Sequence, residues 1–247
     1  MTSGGPSHSS TSNSVYSFEG FLRDWHHQQD EVLAKITAAL GDGKRGQEAV
    51  TAEVAEELIA RALGHFEEYY EHKSRAAHDN VLSMFSPPWC SSFECAFLWV
   101  AGFRPCVLLQ LVTDSVGDLS ARQIQAIDRL KRETRVEEKN IADDLAKIQE
   151  NTAAPPMIHA LKSAPTRSDE EQSTRPATNE ALEQLQVVLE EVVANADILR
   201  VNTAARVAEI LTPPQGLRFL AAVIRQQQSM RRLGIERNNR PCRGRSS

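Results

Sequence analysis

The sequence has no hydrophobic run long enough to cross a bilayer and no excess of the residues that mark unusual chain classes. Its longest apolar stretch, residues 96–102, is far shorter than the ~20 residues that a membrane helix needs. Glycine (12) and proline (11) are not enriched among the 247 residues, which excludes collagen-like and wholly disordered chains. Aromatic residues make up only 6%. Most of them lie within the first 103 residues, so the densest packing is predicted there.

The four cysteines lack the C-x-x-C spacing that is typical of zinc sites: they are Cys90, Cys95, Cys106 and Cys242. Residues 1–14 have neither the basic nor the apolar region of a secretory signal. We therefore expect a reducing compartment, in which these cysteines are free thiols with a structural role.

The chain also lacks the motifs of the common enzyme classes. It contains no G-x-S-x-G elbow, no Walker loop and no H-E-x-x-H pair. The glutamates between residues 48 and 71 lack the E-x-x-H pairing of di-iron bundles, so no metal site is predicted there. His65 and His72 are seven residues apart, which is too far for two ligands of one metal but leaves open a single axial ligand to haem.

Charge is distributed unevenly along the chain. The net charge is −5, yet residues 215–247 contain eight arginines against one glutamate, which leaves a body of charge −12. These arginines indicate either a contact site for a partner or a nucleic acid or a merely exposed C-terminus. The predicted contact residues are Arg218, Arg225, Arg231, Arg232, Arg237 and Arg240.

Apolar residues recur every three or four positions along most of the chain, and no alternating strand pattern appears. The predicted helices span residues 18–40, 47–73, 93–101, 105–116, 121–150, 179–211 and 213–234. Ser17 is the predicted N-cap of the first helix and Gly41 its stop. The fold class is therefore all-α, an irregular antiparallel bundle of long helices with a flexible Pro/Ser/Thr-rich linker.

The domain boundaries follow from composition. Residues 1–16 are rich in serine and are predicted to form a disordered leader. Residues 17–233 form one helical domain, interrupted at about 151–178 by the linker. Residues 234–247 form a basic, disordered tail.

Local motifs predict where helices begin and end in the middle of the chain. Ser91–Glu94 and Ser120–Gln123 are predicted capping boxes. The helix at 93–101 is apolar on all sides, so we expect it to be buried and closed by Gly102. Arg104 follows it and is predicted to bind helix C-terminal carbonyls or a carboxylate.

A near-heptad repeat runs through the helix at 179–211. Its members are Leu182, Leu185, Leu189, Val192, Ala196, Leu199, Thr203 and Ile210. The repeat fits either a helix that packs into the core of the same chain or the seam of a coiled-coil dimer.

The segment from Phe66 to Val112 has an unusual order of aromatic, proline, glycine and charged residues. The distinctive residues are Tyr69, Tyr70, Lys73, Pro87, Pro88, Trp89, Glu94, Trp99, Gly102, Arg104 and Pro105. The segment strongly resembles the plant delay-of-germination family, the seed-dormancy-control domain that also forms the C-terminal part of TGA-type bZIP transcription factors. The resemblance extends over residues 17–233. These residues are interpreted as a kernel of the fold, with a binding site as the alternative.

The resemblance implies a non-enzymatic plant regulator that acts through protein partners in transcription control and abscisic-acid or seed-dormancy signalling. It implies type 2C protein phosphatases or transcription factors as partners, homodimers or heterodimers, and a location in the nucleus and also the cytoplasm. No membrane partner is implied.

Two alternatives remain. The first is a DNA-associated regulator that uses a bZIP partner or the basic tail, although the residues before Phe18 contain no lysine or arginine of a basic region. The second is a haem or small-ligand sensor that uses His65, His72 or His78. No histidine follows His159, so the C-terminal haem ligands of the name-giving branch have no counterpart, and no cofactor is predicted.

Overall fold

The structure, a computed structural model, describes residues 9–41, 50–152 and 175–238. Within these ranges the chain forms eight α-helices and no β-strand, which confirms the all-α class. The helices are α1 (Ser9–Leu40), α2 (Ala52–Asp79), α3 (Leu82–Phe85), α4 (Ser92–Cys95), α5 (Pro105–Ser115), α6 (Ala121–Thr152), α7 (Arg175–Ile210) and α8 (Pro213–Asn238). None of them is both long and apolar enough to span a membrane.

The first two long helices pair through the apolar stripe predicted for α1. Trp25 and Ile36 of that stripe are buried, and so is Ala62 on the facing side of α2. Gly41 ends α1 with a φ of 71°, as predicted, because a left-handed backbone favours glycine. The hydroxyl of Thr51 accepts a hydrogen bond from the Val54 N–H and caps α2.

Helix α8 lies at the centre of the bundle. It packs against α1, α2, α4 and α5, and its residues Leu217, Ala221 and Ile224 are fully buried. Burial of this apolar face stabilises the bundle, because apolar area removed from water contributes about 25 cal/mol per Å².

Helices α6 and α7 form the second long pair, and their packing decides between the two interpretations of the heptad repeat. Val192 and Ala196 of the repeat are buried against Ile141 and Leu145 of α6. The repeat therefore serves the core of the same chain, as one of the two interpretations predicted. Leu182, at the N-terminal end of the repeat, is 37% exposed.

Three helix starts differ from the predictions. Helix α1 begins at Ser9 rather than after Ser17, because the capping preference of a serine does not by itself interrupt a helix that lacks proline. Helix α2 begins at Ala52 and α7 at Arg175. The predicted leader, 1–16, therefore overlaps α1, and the predicted linker, 151–178, lies largely outside the described residues.

The predicted buried helix at 93–101 is wrong. Only Ser92–Cys95 is helical, and Phe97 is 58% exposed. Val100 and Ala101 have φ values of 43° and 59°, so the chain leaves the helical region and turns back on itself. The local apolar pattern missed this turn because the partner that stabilises it is about 100 residues away in the sequence.

The predicted end of the last helix at Gly234 is also wrong, since α8 continues to Asn238. Gly234 is not a C-cap: it is buried against α4, where a Cβ atom would overlap the hydroxyl of Ser91 and lie 3.2 Å from Glu94 Oε2. Glycine is needed there for the close approach of two helices. The predicted tail, 234–247, thus begins within α8, and residues 239–247 lie outside the described ranges.

Replacing Gly234 with alanine is expected to destabilise the protein by about 1–3 kcal/mol, because the added methyl group must displace the α4 capping box. Gly64, in the middle of α2, provides a matched control, since a Cβ there meets no atom within 4 Å. Gly64→Ala is expected to stabilise by about 0.5–1 kcal/mol through helix propensity. Urea denaturation followed by circular dichroism measures both changes, and equal effects of the two substitutions would refute the packing role of Gly234.

Candidate functional site

Three charged side chains lie together in the interior: Lys73 of α2, and Asp197 and Arg200 of α7. Lys73 and Arg200 are only 2% and 1% exposed. Asp197 Oδ1 accepts hydrogen bonds from Lys73 Nζ (2.7 Å) and from Arg200 Nη1 (2.5 Å). Burial lowers the pKa of Lys73 to about 8, although Asp197 acts in the opposite direction. Two cations therefore share one carboxylate.

Arg200 also holds the turn that replaces the predicted helix. Its Nε donates to the Phe103 carbonyl (2.7 Å), and its Nη2 donates to the carbonyls of Trp99 (2.5 Å) and Val100 (2.9 Å). A Cβ atom on Gly102 would lie 2.7 Å from Arg200 Cζ, so this position requires glycine. A planar guanidinium suits this task because it presents several donors in fixed directions.

The Pro87–Trp89 corner and the α4 cap lie next to this turn. Trp89 packs edge-on against Phe18 of α1, with 4.9 Å between the ring centroids, and Pro88 is exposed. Glu94 Oε2 accepts from the Ser91 N–H (2.9 Å), and the Glu94 N–H donates to Ser91 Oγ (3.2 Å). The predicted capping box is thus confirmed.

Arg104 precedes Pro105, the first residue of α5, and binds a carboxylate, as predicted. Its Nε donates to Glu138 Oε2 at 2.7 Å, and the Cys106 N–H donates to Glu138 Oε1, also at 2.7 Å. Glu138 is 0% exposed. A buried carboxylate requires such partners, so these contacts fix the start of α5 to the middle of α6.

A cavity of about 460 Å³, here called the central cavity, lies between α1, α2, α5 and α8, and the three charged side chains form part of its wall. Its lining is mainly apolar, and eight of the eleven distinctive residues contribute to it: Tyr69, Tyr70, Lys73, Pro87, Trp89, Glu94, Gly102 and Arg104. Burial raises the pKa of both tyrosine hydroxyls. A largely apolar cavity with a few polar groups is the usual form of a binding site, so the same residues build the fold and line a candidate site.

The cysteines of the described residues are free thiols, as predicted: Cys90, Cys95 and Cys106. Burial raises the pKa of the Cys90 thiol to about 12 and that of Cys106 to about 11. Such thiols are poor nucleophiles at neutral pH, which fits a structural role. Cys242 lies outside the described residues.

The three histidines of the haem alternative have separate contacts. His65 stacks on Trp25, with 4.4 Å between the ring centroids, and burial lowers its pKa. His72 stacks on Phe21 at 3.8 Å, and His78 Nδ1 lies 3.1 Å from Glu190 Oε1. Among the described residues no three His, Cys, Asp or Glu side chains are grouped as they would be around a metal ion.

The predicted contact arginines are dispersed along α8. Arg218 pairs with Asp118 of the α5–α6 connection at 2.5 Å, and the guanidinium of Arg237 lies 5.0 Å from the ring centroid of Phe93. Arg240 lies outside the described residues.

Three other arginines of this set, Arg225, Arg231 and Arg232, line a groove between α1 and α8. The structure therefore places three of the five described arginines of this set in one groove, whereas Arg218 and Arg237 have separate contacts.

Comparison with known proteins identifies the family. A family model described as seed dormancy control, DOG1, matches residues 33–114. The chain is 32% identical to Protein ZW2 of Arabidopsis thaliana over 227 residues, which cover 90% of this chain and 98% of that protein. The chain belongs to the DOG1 family. Protein RESPONSE TO ABA AND SALT 1, also of Arabidopsis thaliana, is 33% identical over 85% of this chain and 92% of its own length.

The family likeness extends to transcription factors. Arabidopsis Transcription factor TGA6 is 26% identical over 226 residues, which cover 90% of this chain and 64% of the factor. The resemblance to the delay-of-germination and TGA domains predicted from residues 66–112 is thus confirmed. A regulatory role in plants follows from the family at this coarse level.

Sequence reasoning missed Asp197, Arg200 and Glu138. A weak signal existed, because Arg200 and Glu138 occupy positions at which the helical period of α7 and α6 calls for an apolar residue. A charged residue in an apolar register indicates a buried ion pair. The identity of the partner, however, depends on the tertiary fold.

Proposed function

We propose that this chain is a non-enzymatic plant regulator that binds other proteins in transcription control and in abscisic-acid or seed-dormancy signalling. The observation that carries the proposal is the likeness to Protein RESPONSE TO ABA AND SALT 1, which extends over 92% of that protein. Type 2C protein phosphatases and TGA-type transcription factors are the proposed partners, and homodimers or heterodimers the proposed assemblies. The nucleus, and also the cytoplasm, is the proposed location.

The contacts of the interior support a binding role over a catalytic one. Asp197 and Arg200 are engaged with each other, with Lys73 and with backbone carbonyls. The Cys90 and Cys106 thiols have raised pKa values. These groups stabilise the fold, and an exposed helix surface is the usual place for a regulatory partner to bind.

Direct binding assays with purified proteins test this function. The full chain is immobilised, and a plant type 2C phosphatase and a full-length TGA-type factor are titrated in separate experiments. We expect saturable binding of at least one of them, with a Kd of about 1 μM or tighter. Absence of binding to both, with the chain shown to be folded by circular dichroism, would contradict the proposal.

The likeness to TGA6 favours one alternative, a DNA-associated regulator. In that case, the chain alone binds duplex DNA, and its affinity falls steeply with salt because phosphate contacts release counterions. Arg218 and Arg237 already have partners on the same chain, and the groove that holds the other three described arginines also contains two carboxylates. This arrangement favours the protein-binding function over contacts with a series of phosphates. DNA binding tighter than the binding of either protein, measured at the same salt concentration, would support the alternative.

A further inference from the structure

A groove of about 730 Å³ between α1 and α8 combines positive charge with open space. Its charged lining consists of Arg23, Arg225, Arg231, Arg232, Asp30 and Glu236, a formal excess of two positive charges. The body of the chain before residue 215 carries a net charge of −12. The groove is therefore a positively charged region on an otherwise acidic body, and this positive charge attracts an acidic ligand.

The carboxylates of the groove are already engaged. Asp30 Oδ1 accepts a hydrogen bond from Gln228 Nε2 at 2.7 Å, and Glu236 lies 4.0 Å from Arg232. Neither carboxylate forms a hydrogen bond or an ion pair with Arg23 or Arg231.

Two arginines of the groove have no hydrogen-bond or ion-pair partner among the described residues: Arg23 of α1 and Arg231 of α8. Arg231 is half-buried, and this burial lowers its pKa. A guanidinium that has lost part of its hydration without gaining an acceptor is unfavourable, and a carboxylate supplies acceptors in a geometry that matches it. An anionic ligand thus provides the acceptors that Arg231 lacks, and Arg23, which is exposed on the same groove, is free to pair with that ligand.

The groove adjoins the central cavity. Four residues line both spaces: Arg23, His26, Gln227 and Arg231. Beyond them the cavity wall is formed by apolar side chains, which include those of Leu22 and Met230. A volume of about 460 Å³ accommodates one large aromatic side chain, and such a side chain buries about 150–250 Å².

We propose that the groove and the cavity together bind an acidic peptide segment of a partner protein. Carboxylates of the segment pair with Arg23 and Arg231, and a neighbouring bulky apolar side chain enters the cavity. This inference rests on the proposed function and gives it a surface and a partner chemistry. A protein segment is favoured over a nucleic acid because the site offers two free guanidiniums beside an apolar cavity rather than a long series of phosphate contacts.

The first test uses a fluorescein-labelled peptide with one tryptophan between two pairs of acidic residues, titrated with the full chain in fluorescence anisotropy. We expect Arg23→Ala/Arg231→Ala to weaken binding by about tenfold or more, because charge-assisted contacts are lost. The control is Arg129→Ala/Arg132→Ala, which removes the same charge from the exposed face of α6. Equal weakening by both double variants would overturn the proposal, since the loss of affinity would then be explained by the change in net charge alone.

A second pair of measurements tests the cavity. Replacing the peptide tryptophan with serine is expected to weaken binding to the wild type. Met230→Trp, which fills the cavity, is expected to remove this preference while both peptides still bind. A preference retained in Met230→Trp would overturn entry into the cavity, provided that circular dichroism shows the variant folded.

Competition with a duplex oligonucleotide, and binding of the purified partner proteins to the variant, distinguish the remaining outcomes. Displacement of the peptide by a duplex oligonucleotide at lower concentration than by unlabelled peptide would overturn the protein segment as ligand. If the phosphatase or the TGA factor binds the wild type and the Arg23/Arg231 variant equally, this surface is wrong and the proposed function stands. If neither protein binds the wild type, the proposed function itself fails.

Discussion

Arg200→Ala is expected to lower the free energy of unfolding by about 3–5 kcal/mol, the usual cost of removing one partner of a buried ion pair. The side chain is 1% exposed and donates to Asp197 and to three backbone carbonyls. Its removal leaves the carbonyls of Val100 and Phe103 without a donor and opens a space beneath the rings of Trp99 and Phe103. Each buried acceptor left unsatisfied costs about 1–3 kcal/mol by itself.

The backbone at this turn depends on the same side chain. Val100 and Ala101 have positive φ values, and a β-branched residue in that region is strained by about 1–3 kcal/mol. The hydrogen bonds from Arg200 to Trp99, Val100 and Phe103 stabilise the turn in spite of this strain. Removal of Arg200 is therefore expected to release the turn as well as to destabilise the bundle.

Urea denaturation measures the global effect, and limited proteolysis between residues 96 and 104 measures the local one. Arg206→Ala is the matched control, because Arg206 lies on the same helix and pairs with Glu133 where both side chains are about half-exposed (49% and 46%). That substitution is expected to cost less than about 1 kcal/mol. Arg200→Lys is expected to cost nearly as much as Arg200→Ala, since an ammonium lacks the planar set of donors. Full retention of stability by Arg200→Lys would show that charge alone is needed.

Features that depend on a few neighbouring residues were predictable from the sequence. The Ser91–Glu94 capping box, the stop at Gly41 and the apolar stripe of α1 all have the predicted form. Each is determined by side chains within about one helical turn or by the 3.6-residue period. The all-α class follows from the same local information.

Features that depend on distant residues were not predictable. The residues after Cys95 have the composition of a buried helix, yet Arg200 stabilises them as a turn from about 100 positions further along the chain. Gly234 has the position of a helix stop, yet it permits a close approach to Ser91. In both cases a tertiary contact overrides a local preference.

The candidate site was predictable in part. The distinctive residues of the 66–112 segment were found as a group, and the cavity explains why packing and binding are hard to separate in that group. Tyr69 and Lys73 supply the cavity wall from α2. The buried charged group at the cavity, however, also requires Asp197 and Arg200 from α7. The groove in turn requires that α1 and α8 lie side by side. Only the fold brings these helices together.

Lys73 is expected to make the protein more stable as the pH rises. Its pKa is about 8 in the folded state and about 10.4 in an unfolded chain. Between these values the unfolded state binds a proton that the folded state has released, so the free energy of unfolding increases with pH. The increase attributable to Lys73 is on the order of 2–3 kcal/mol over this window.

Lys73→Met isolates this contribution, because Asp197 keeps Arg200 as a partner at 2.5 Å and the methionine fills a similar volume. Urea denaturation at several pH values gives the stability of wild type minus that of the variant. This difference is expected to rise across the window, since the other titrating groups are common to both proteins. Lys139→Met is the control: the Lys139 side chain is 73% exposed, and its ammonium stays in water on folding. A difference for Lys73→Met that is as flat as that of the control would show that the buried lysine remains charged at pH 9, and that its interaction with Asp197 outweighs the loss of hydration.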